Sequence, residues 1–358
     1  MIPEWTEQLN SFNPMKVLLW RQHLEGCAKG KYLPPISANL YLTNLCLHNC
    51  WHCLNWGWRR KSPSSMPEGH ALKLADFFKE WGIKSVCFGG GESTLHNELV
   101  PVLYRLKENG IQIGIATNGG SHLTEKKLQA MAETCTWVGF SIDAGDAETH
   151  SLIHGVDKNE FGKVLKNMEW LASHGADVTY KMLIHPIMVS TIFEAARLAR
   201  DCGATGIMMR PVGWVNIERT KGQLPIDFKP VLLLLKEQVE LARTLENSDF
   251  KVYCVLQKFG EELETKVKCS RCWVSPLTIT AGADGWYYNC CDVMDRGWNG
   301  MTTHYPEPSE ILPFWNSKEH KKLVSAIDPS KCPRCTFSSY QEIIEKVIVE
   351  DRMNVNFV

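Results

Sequence analysis

The chain has 358 residues, enough for one large domain and a small one, with 44% hydrophobic and 22% charged residues, an ordinary globular balance. A formal net charge of −1 gives no reason to expect a nucleic-acid or membrane partner, and no apolar run approaches membrane-spanning length. The start, Met1-Ile2-Pro3-Glu4-Trp5, lacks the basic stretch and apolar core of a secretory signal, so the fourteen cysteines are expected to be reduced and to bind metal in a cytoplasmic protein.

In chain order, residues 1–35 read as an arm with one helix, about Met15 to Cys27, stopped by Gly30 and Pro34-Pro35. From Ile36 to about Val212 strands and helices alternate. The predicted strands are Ser37–Thr43, Ser85–Phe88, Gln112–Thr117, Trp137–Ile142, Val178–Ile184 and Gly206–Arg210, short β-branched or apolar runs bounded by Gly, Asn or Asp. Helices are predicted over Glu68–Trp81, Leu99–Asn109, Glu125–Glu133, Phe161–His174 and Thr191–Cys202. Repeated strand–helix units predict a parallel sheet with right-handed crossovers over 36–212. Residues 213–268 read as a bridge, with a helix near Val231–Glu246 and a strand Phe250–Leu256. Residues 269–340 are rich in cysteines and turns, the composition of a module held by metal rather than by its own core. Residues 341–358 carry the rest of a final helix, Tyr340–Glu350, and a tail.

The chemistry centres on Cys46, Cys50 and Cys53, spaced C-x3-C-x2-C directly after the first strand. Iron–sulfur clusters normally take four cysteines, and structural zinc takes four protein groups. A trio leaves one metal position open, as catalytic centres do. The alternative is a zinc knuckle completed by His48 or His52.

This spacing is the signature of the radical S-adenosylmethionine (SAM) enzymes, and the chain resembles that family from here onward. The resemblance implies an α/β fold, an open partial (β/α)6 TIM-like barrel. It also implies a 4Fe–4S cluster on the catalytic trio Cys46, Cys50 and Cys53, which would chelate SAM and cleave it to a 5′-deoxyadenosyl radical. Gly90-Gly91-Glu92, after the second strand, resembles the family's Gly-Gly-Glu motif, with Ser93 where a proline is usual. Glycines let backbone approach a ligand closely, and carbonyls with Glu92 would accept from the SAM ammonium. Thr117-Asn118-Gly119 and Ser141-Ile142-Asp143 end the third and fourth strands as in the family, which puts Asn118, Ser141 and Asp143 near SAM. His154 stands where relatives commonly carry Arg. His154, His52, Lys181 and Arg210 complete the expected cofactor contacts; for the charged ones the alternative is a structural or solvated role. Trp51, Trp56 and Trp58 are expected to keep water from the radical. Arg59-Arg60-Lys61 reads either as a dock for a flavodoxin- or ferredoxin-type electron donor or as a solvated loop.

Further along, Cys272, Gly285 and Cys290 fit C-x12-G-x4-C, and Cys332-Pro333-Arg334-Cys335 fits C-x2-C. The pair resembles the twitch module, the shorter relative of the SPASM extension. That implies one auxiliary 4Fe–4S cluster on Cys272, Cys290, Cys332 and Cys335. Cys269 is also at a permitted spacing, and a zinc ribbon of Cys269/Cys272 with Cys332/Cys335 is the alternative.

The implied function is hydrogen abstraction from a C–H bond of a small molecule, followed by two-electron oxidation. Only some 35 residues precede the barrel, too few for a leader-binding domain, which favours a metabolite; a peptide-modifying enzyme is the alternative. A redox-neutral epimerase would need a hydrogen donor among Cys254, Cys269 and Cys291. A non-catalytic zinc-binding scaffold is the reading from another class.

Overall fold

The computed structural model describes residues 13–61, 63–213, 215, 216, 220, 222, 225–255, 259, 269–294, 299–332 and 335–350. Leu256, Pro333, Arg334 and the tail from Asp351 onward lie outside the described residues.

The arm begins with a 3-10 turn, Pro14–Trp20, whose Asn13 side chain accepts from the Met15 amide at 2.9 Å, and continues as α1 (Arg21–Ala28). The predicted alternation then follows. Strands β1 (Ser37–Leu40), β2 (Ser85–Phe88), β3 (Gln112–Thr117), β4 (Trp137–Ser141), β5 (Val178–Ile184), β6 (Gly206–Pro211) and β7 (Lys251–Cys254) pair in chain order, all parallel. The crossovers are α2 (Trp56–Lys61) and α3 (His70–Trp81), α4 (Leu99–Glu108), α5 (Glu125–Thr134), α6 (Ala147–His154) and α7 (Asn159–Ser173), α8 (Ile192–Asp201), and α9 (Leu232–Arg243). The bridge strand is thus a seventh member of the sheet.

The other edge differs more from the sequence reading. β8 (Thr278–Ala281) lies parallel to β1, with Ser37 opposite Thr278 and Leu40 opposite Ala281. Asn39 Nδ2 donates to Thr280 Oγ1 at 3.4 Å across this pair. β9 (Trp286–Tyr288) and β10 (Gly300–Thr303) extend the sheet antiparallel. The order is β10-β9-β8-β1-β2-β3-β4-β5-β6-β7, and β7 and β8 do not pair, so the barrel stays open. All four residues of β8 are buried, as in an interior strand. Trp273, Leu277, Ile279, Tyr287 and Trp315 belong to the same hydrophobic core as the barrel strands. The cysteine-rich segment therefore shares the barrel's core, each large aliphatic side chain there contributing about 1.5–3 kcal/mol on burial. Four-residue strands among turns carry too little periodicity to announce this.

In β5 the alternate residues Val178, Tyr180, Met182 and Ile184 are buried, while Thr179, Lys181 and Leu183 are half-buried. The same alternation in β1 and β2 leaves Asn39 and Cys87 half-buried. Burial pushes the Cys87 thiol up to about 11, against the nearby Lys181 ammonium, which pulls it down. Among the described residues no helix is long and apolar enough to cross a membrane.

Candidate functional site

The cysteine loop leaves β1 through Leu42 and Thr43 and is pinned to the end of α6. Asn49 N donates to His154 O at 2.7 Å, Trp51 N to Ile153 O at 3.3 Å, and Trp51 Nε1 to Leu152 O at 3.1 Å. Cys46, Cys50 and Cys53 are each half-buried. Their sulfurs do not form a group within 4.8 Å of one another. A single tetrahedral zinc ion would hold thiolates about 3.8 Å apart. Burial raises the pKa of Cys46, helped by Glu92, and raises that of Cys50, helped by Cys53 and Cys46. Those two thiols hold their protons until a metal displaces them.

Opposite the loop is the turn after β2. Gly90 has φ +99°, and a Cβ on Gly91 would come within 2.1 Å of the Leu45 carbonyl oxygen, so only glycine lets this turn lie against the cysteine loop. Glu92 follows, 3% exposed. Its Oε1 accepts from Thr94 Oγ1 at 2.6 Å and Thr117 Oγ1 at 2.9 Å, and its Oε2 from Asn118 N at 2.7 Å. Burial works against the Glu92 charge, but His122, the Asn118 amide and Thr94 outweigh it and hold the carboxyl below its ordinary value. Asn118 Nδ2 reaches back to Cys46 Sγ at 3.7 Å, joining the β3 end to the loop.

The β4 end makes the third wall. Asp143 has φ +55° and is locked by the Leu183 amide, which donates to Oδ1 at 2.6 Å. Its Oδ2 lies 3.2 Å from His52 Nε2 and 3.4 Å from His154 Nε2. Burial opposes the Asp143 charge, and the His52 hydrogen bond and both histidines lower its pKa in spite of it. α6 is capped by Asp146, whose Oδ1 accepts from Thr149 N at 2.7 Å, and ends at Gly155 with φ +60°, which places His150 and His154 under the loop. Both rings approach the Ile142 carbonyl at 2.9 Å. His154 Nδ1 lies 3.1 Å from Cys50 Sγ and 3.2 Å from His48 Nδ1. At 1% exposure His154 sits beneath the loop, between Asp143 on one side and Cys50 and His48 on the other. Burial holds the His48 imidazole down to about 4.

The basic run divides. Arg60 stacks over the Trp56 ring at 4.7 Å and Lys61 is exposed, but Arg59 is half-buried. Burial lowers the Arg59 pKa, and the thiols of Cys53, Cys46 and Cys50, with a hydrogen bond to Cys53, raise it by more. Arg59 and His150 were not expected at this site, and His48 was expected there only as a zinc ligand. The signal available for Arg59 was its place one and a half turns beyond the loop on a short helix. Ser141 ends β4 opposite Lys181, both half-buried. Arg210, at the end of β6, lies near the Tyr340 phenol of a C-terminal helix; burial raises that phenol's pKa and Arg210 lowers it.

The second cysteine set lines one small cavity of about 30 Å³. Cys272, Cys290, Cys332 and Cys335 all line it, with Asp292 and Gln341. Cys269 does not; it packs against the main core. Gln341 Nε2 donates to Cys272 Sγ at 3.1 Å. Gly285, φ +90°, turns β8 into β9, where a side chain would strike the Tyr305 ring at 2.2 Å. Tyr41, Trp58, Tyr288 and Met294 form a small apolar cluster, with Cys291 packed on it, and Trp58 meets Tyr288 edge-on at 6.3 Å. Trp58 follows the first cysteine loop and Tyr288 precedes Cys290, so this cluster links the two cysteine sites.

Residues 40–199 match the model of the Radical SAM superfamily. The chain is 32% identical over 110 residues to an S-adenosylmethionine-dependent nucleotide dehydratase of Thermoplasmatales archaeon (strain ISO4-H5), covering 31% of this chain and 38% of that protein. It is 30% identical over 135 residues to the GTP 3′,8-cyclase of Pasteurella multocida (strain Pm70), covering 36% and 39%. It is 25% identical over 172 residues to the mycofactocin maturase MftC of Mycolicibacterium smegmatis, covering 48% and 43%. The chain thus spans about two fifths of the length of these curated relatives. Among solved structures, Streptococcus suis SuiB bound to S-adenosylmethionine aligns over 92% of this chain and 77% of its own, with a TM-score of 0.64 and 16% identity. Native anSMEcpe with bound AdoMet aligns over 86% and 88%, with a TM-score of 0.60 and 16% identity. At these identities the likeness is one of fold.

Proposed function

This chain belongs to the radical SAM superfamily through residues 40–199, and from that premise we propose that it is an enzyme that binds SAM and a 4Fe–4S cluster at the mouth of its barrel and acts on a small molecule. The observation that carries the reading is the meeting of three half-buried cysteines with a side-chain-free turn at Gly90 and Gly91 and with polar strand ends at Asn118 and Asp143. The donor set fits the group: three thiols on one loop, beside backbone that no Cβ obstructs.

When bound, the cluster and SAM supply a 5′-deoxyadenosyl radical able to take a hydrogen atom from a substrate C–H. The chain's own residues do the holding. Cys46, Cys50 and Cys53 ligate the cluster. The carbonyls around Gly90 and Gly91 receive the SAM ammonium, and Glu92 fixes the turn by fastening it to Thr117 and Asn118. Ser141 and Asp143 take the polar groups of SAM, with Asp143 held in place by His52 and His154. Lys181 and Arg210 supply positive charge inside the barrel for an anionic substrate or cofactor group. Trp51 and Trp58, both buried, exclude water.

Cys272, Cys290, Cys332 and Cys335 hold a second cluster of the twitch type, which would supply a one-electron acceptor and make two-electron oxidation the net outcome. The cavity that these four share supports this assignment over a set containing Cys269. Arg60 and Lys61 remain as a docking point for a flavodoxin- or ferredoxin-type donor. A small, nucleotide-like substrate is favoured because the relatives at 32% and 30% identity are named for nucleotides. The test is incubation of anaerobically reconstituted protein with SAM, dithionite and a panel of nucleotides, with products identified by mass spectrometry. Consumption of SAM with modification of a peptide only would overturn the substrate class.

A further inference from the structure

His48, Cys50 and His154 bring three ligand atoms within 4.8 Å of one another, a group distinct from the open cysteine trio. A tetrahedral zinc ion, with Zn–N of 2.0–2.1 Å and Zn–S near 2.3 Å, holds two nitrogens about 3.3 Å apart and a nitrogen and a sulfur about 3.5 Å apart. The structure has 3.2 Å between His48 Nδ1 and His154 Nδ1, and 3.1 Å between His154 Nδ1 and Cys50 Sγ. Both are within a few tenths of an ångström of those values, and His48 and Cys50 lie within 4.8 Å of each other. His154 is also oriented as metal-binding histidines are. Its Nε2 faces the Ile142 carbonyl at 2.9 Å and Asp143 Oδ2 at 3.4 Å, two acceptors, so the proton sits on Nε2 and Nδ1 turns a lone pair toward Cys50 and His48.

We propose that the cluster-free chain binds one thiophilic divalent ion, such as Zn²⁺, through Cys50 Sγ and the Nδ1 atoms of His48 and His154, with Asp143 behind His154. Binding releases the Cys50 thiol proton and moves the His48 proton from Nδ1 to Nε2; no electron moves. Two imidazoles and one thiolate suit Zn²⁺ or Co²⁺ and leave a fourth position for water. Cys50 cannot serve this ion and an iron–sulfur cluster together, so the two exclude each other and zinc blocks cluster assembly. Only that consequence rests on the reading given under Proposed function; the ion site stands on its own geometry.

The experiment titrates Co²⁺ into the full chain purified anaerobically without iron, counting bound equivalents and following the thiolate-to-cobalt absorption. Whatever the second cysteine set binds is common to all the proteins compared. His48→Gln and His154→Gln should each bind one equivalent fewer than the wild type, while Cys46→Ala should bind as many as the wild type. Circular dichroism checks that each variant is folded, and His48→Gln, which disturbs no bond to Asp143 or Ile142, decides the matter if His154→Gln is not. An undiminished count in folded His48→Gln, or the same loss in Cys46→Ala, would overturn the proposal. Iron and sulfide analysis of the separately reconstituted wild type tests the cluster itself, so failure of one reading is not mistaken for failure of the other.

Discussion

Glu92 Oε2 accepts the backbone N–H of Asn118 at 2.7 Å, so the carboxylate after the β2 glycine turn is fastened to the end of β3. With Thr94 and Thr117 on its other oxygen and 3% exposure, it is committed within the protein. Glu92→Gln turns an N–H toward groups that donate. It should cost about 1.5–3 kcal/mol, the worth of a hydrogen bond to a charged group. The loss is expected in the stability of the protein without SAM, with weaker SAM binding following from the loosened turn. Unchanged thermal unfolding with weakened SAM binding by calorimetry would show that the carboxylate serves the ligand directly.

The second cysteine cavity predicts a difference between neighbouring cysteines. Cys272 lines the cavity and Cys269 packs on the core. Reconstituted Cys272→Ala should lose roughly half the iron of the wild type, since one of two 4Fe–4S clusters goes. Cys269→Ala should keep its full complement. Iron and sulfide analysis of the two variants decides, and the reverse pattern would move the ligand to Cys269.

His70 Nε2 and His304 Nδ1 are 2.8 Å apart, and His304 Nε2 faces the Gly282 carbonyl at 2.9 Å, so His304 carries its proton on Nε2 and accepts from His70. This pair joins α3 to the segment after β10. Burial, with a smaller push from Lys73, holds His70 at about 4, and burial holds His304 at about 4. Both are depressed below the ordinary value of about 6.5, so the unfolded chain takes up protons that the folded chain refuses as the pH falls. Stability should be level above about pH 6.5, fall between there and pH 4, and level off below. At pH 5 the loss is roughly 2 kcal/mol per histidine. Urea unfolding at pH 7.5 and pH 5 measures it, and His70→Gln should show a smaller loss than the wild type. An equal loss in both would contradict the assignment.

Three cysteines could return a hydrogen atom to a substrate radical, and the structure separates them. Cys254 is 2% exposed on β7, and Cys269 packs on the main core. Cys291 packs against the Tyr41, Trp58, Tyr288 and Met294 cluster that links the two cysteine sites. The oxidation reading predicts no solvent deuterium in the product when turnover is run in deuterated water, in the wild type and in Cys291→Ser alike. Deuterium at one product carbon, lost in Cys291→Ser, would replace oxidation with epimerisation.

How much of this was legible in the sequence follows from the length of each signal. The strands Ser85–Phe88, Gln112–Thr117 and Val178–Ile184 appear with the expected bounds, because β-branched runs closed by Gly or Asn are strong local patterns. The helices α3, α4 and α5 lie within two residues of expectation for the same reason. The two cysteine patterns were legible as patterns, and the ambiguity between Cys269 and Cys272 was not resolvable there. It turns on which thiol faces a cavity closed by residues some sixty positions later. β8 beside β1 was invisible, since its pairing spans 241 residues at Asn39–Thr280 and its own length is one short run. The histidines beneath Cys50 were likewise hidden: His48 and His154 are 106 residues apart and meet only because α6 docks under the loop.

The central claim, that Cys46, Cys50 and Cys53 hold the group that cleaves SAM, is tested most directly by quantifying 5′-deoxyadenosine. Anaerobically reconstituted wild type is given SAM and dithionite beside Cys46→Ala, Cys50→Ala and Cys53→Ala. The wild type should form 5′-deoxyadenosine, and each variant should form none above background, because two remaining thiolates do not retain the cluster. Undiminished 5′-deoxyadenosine from any one of the three variants would contradict the assignment.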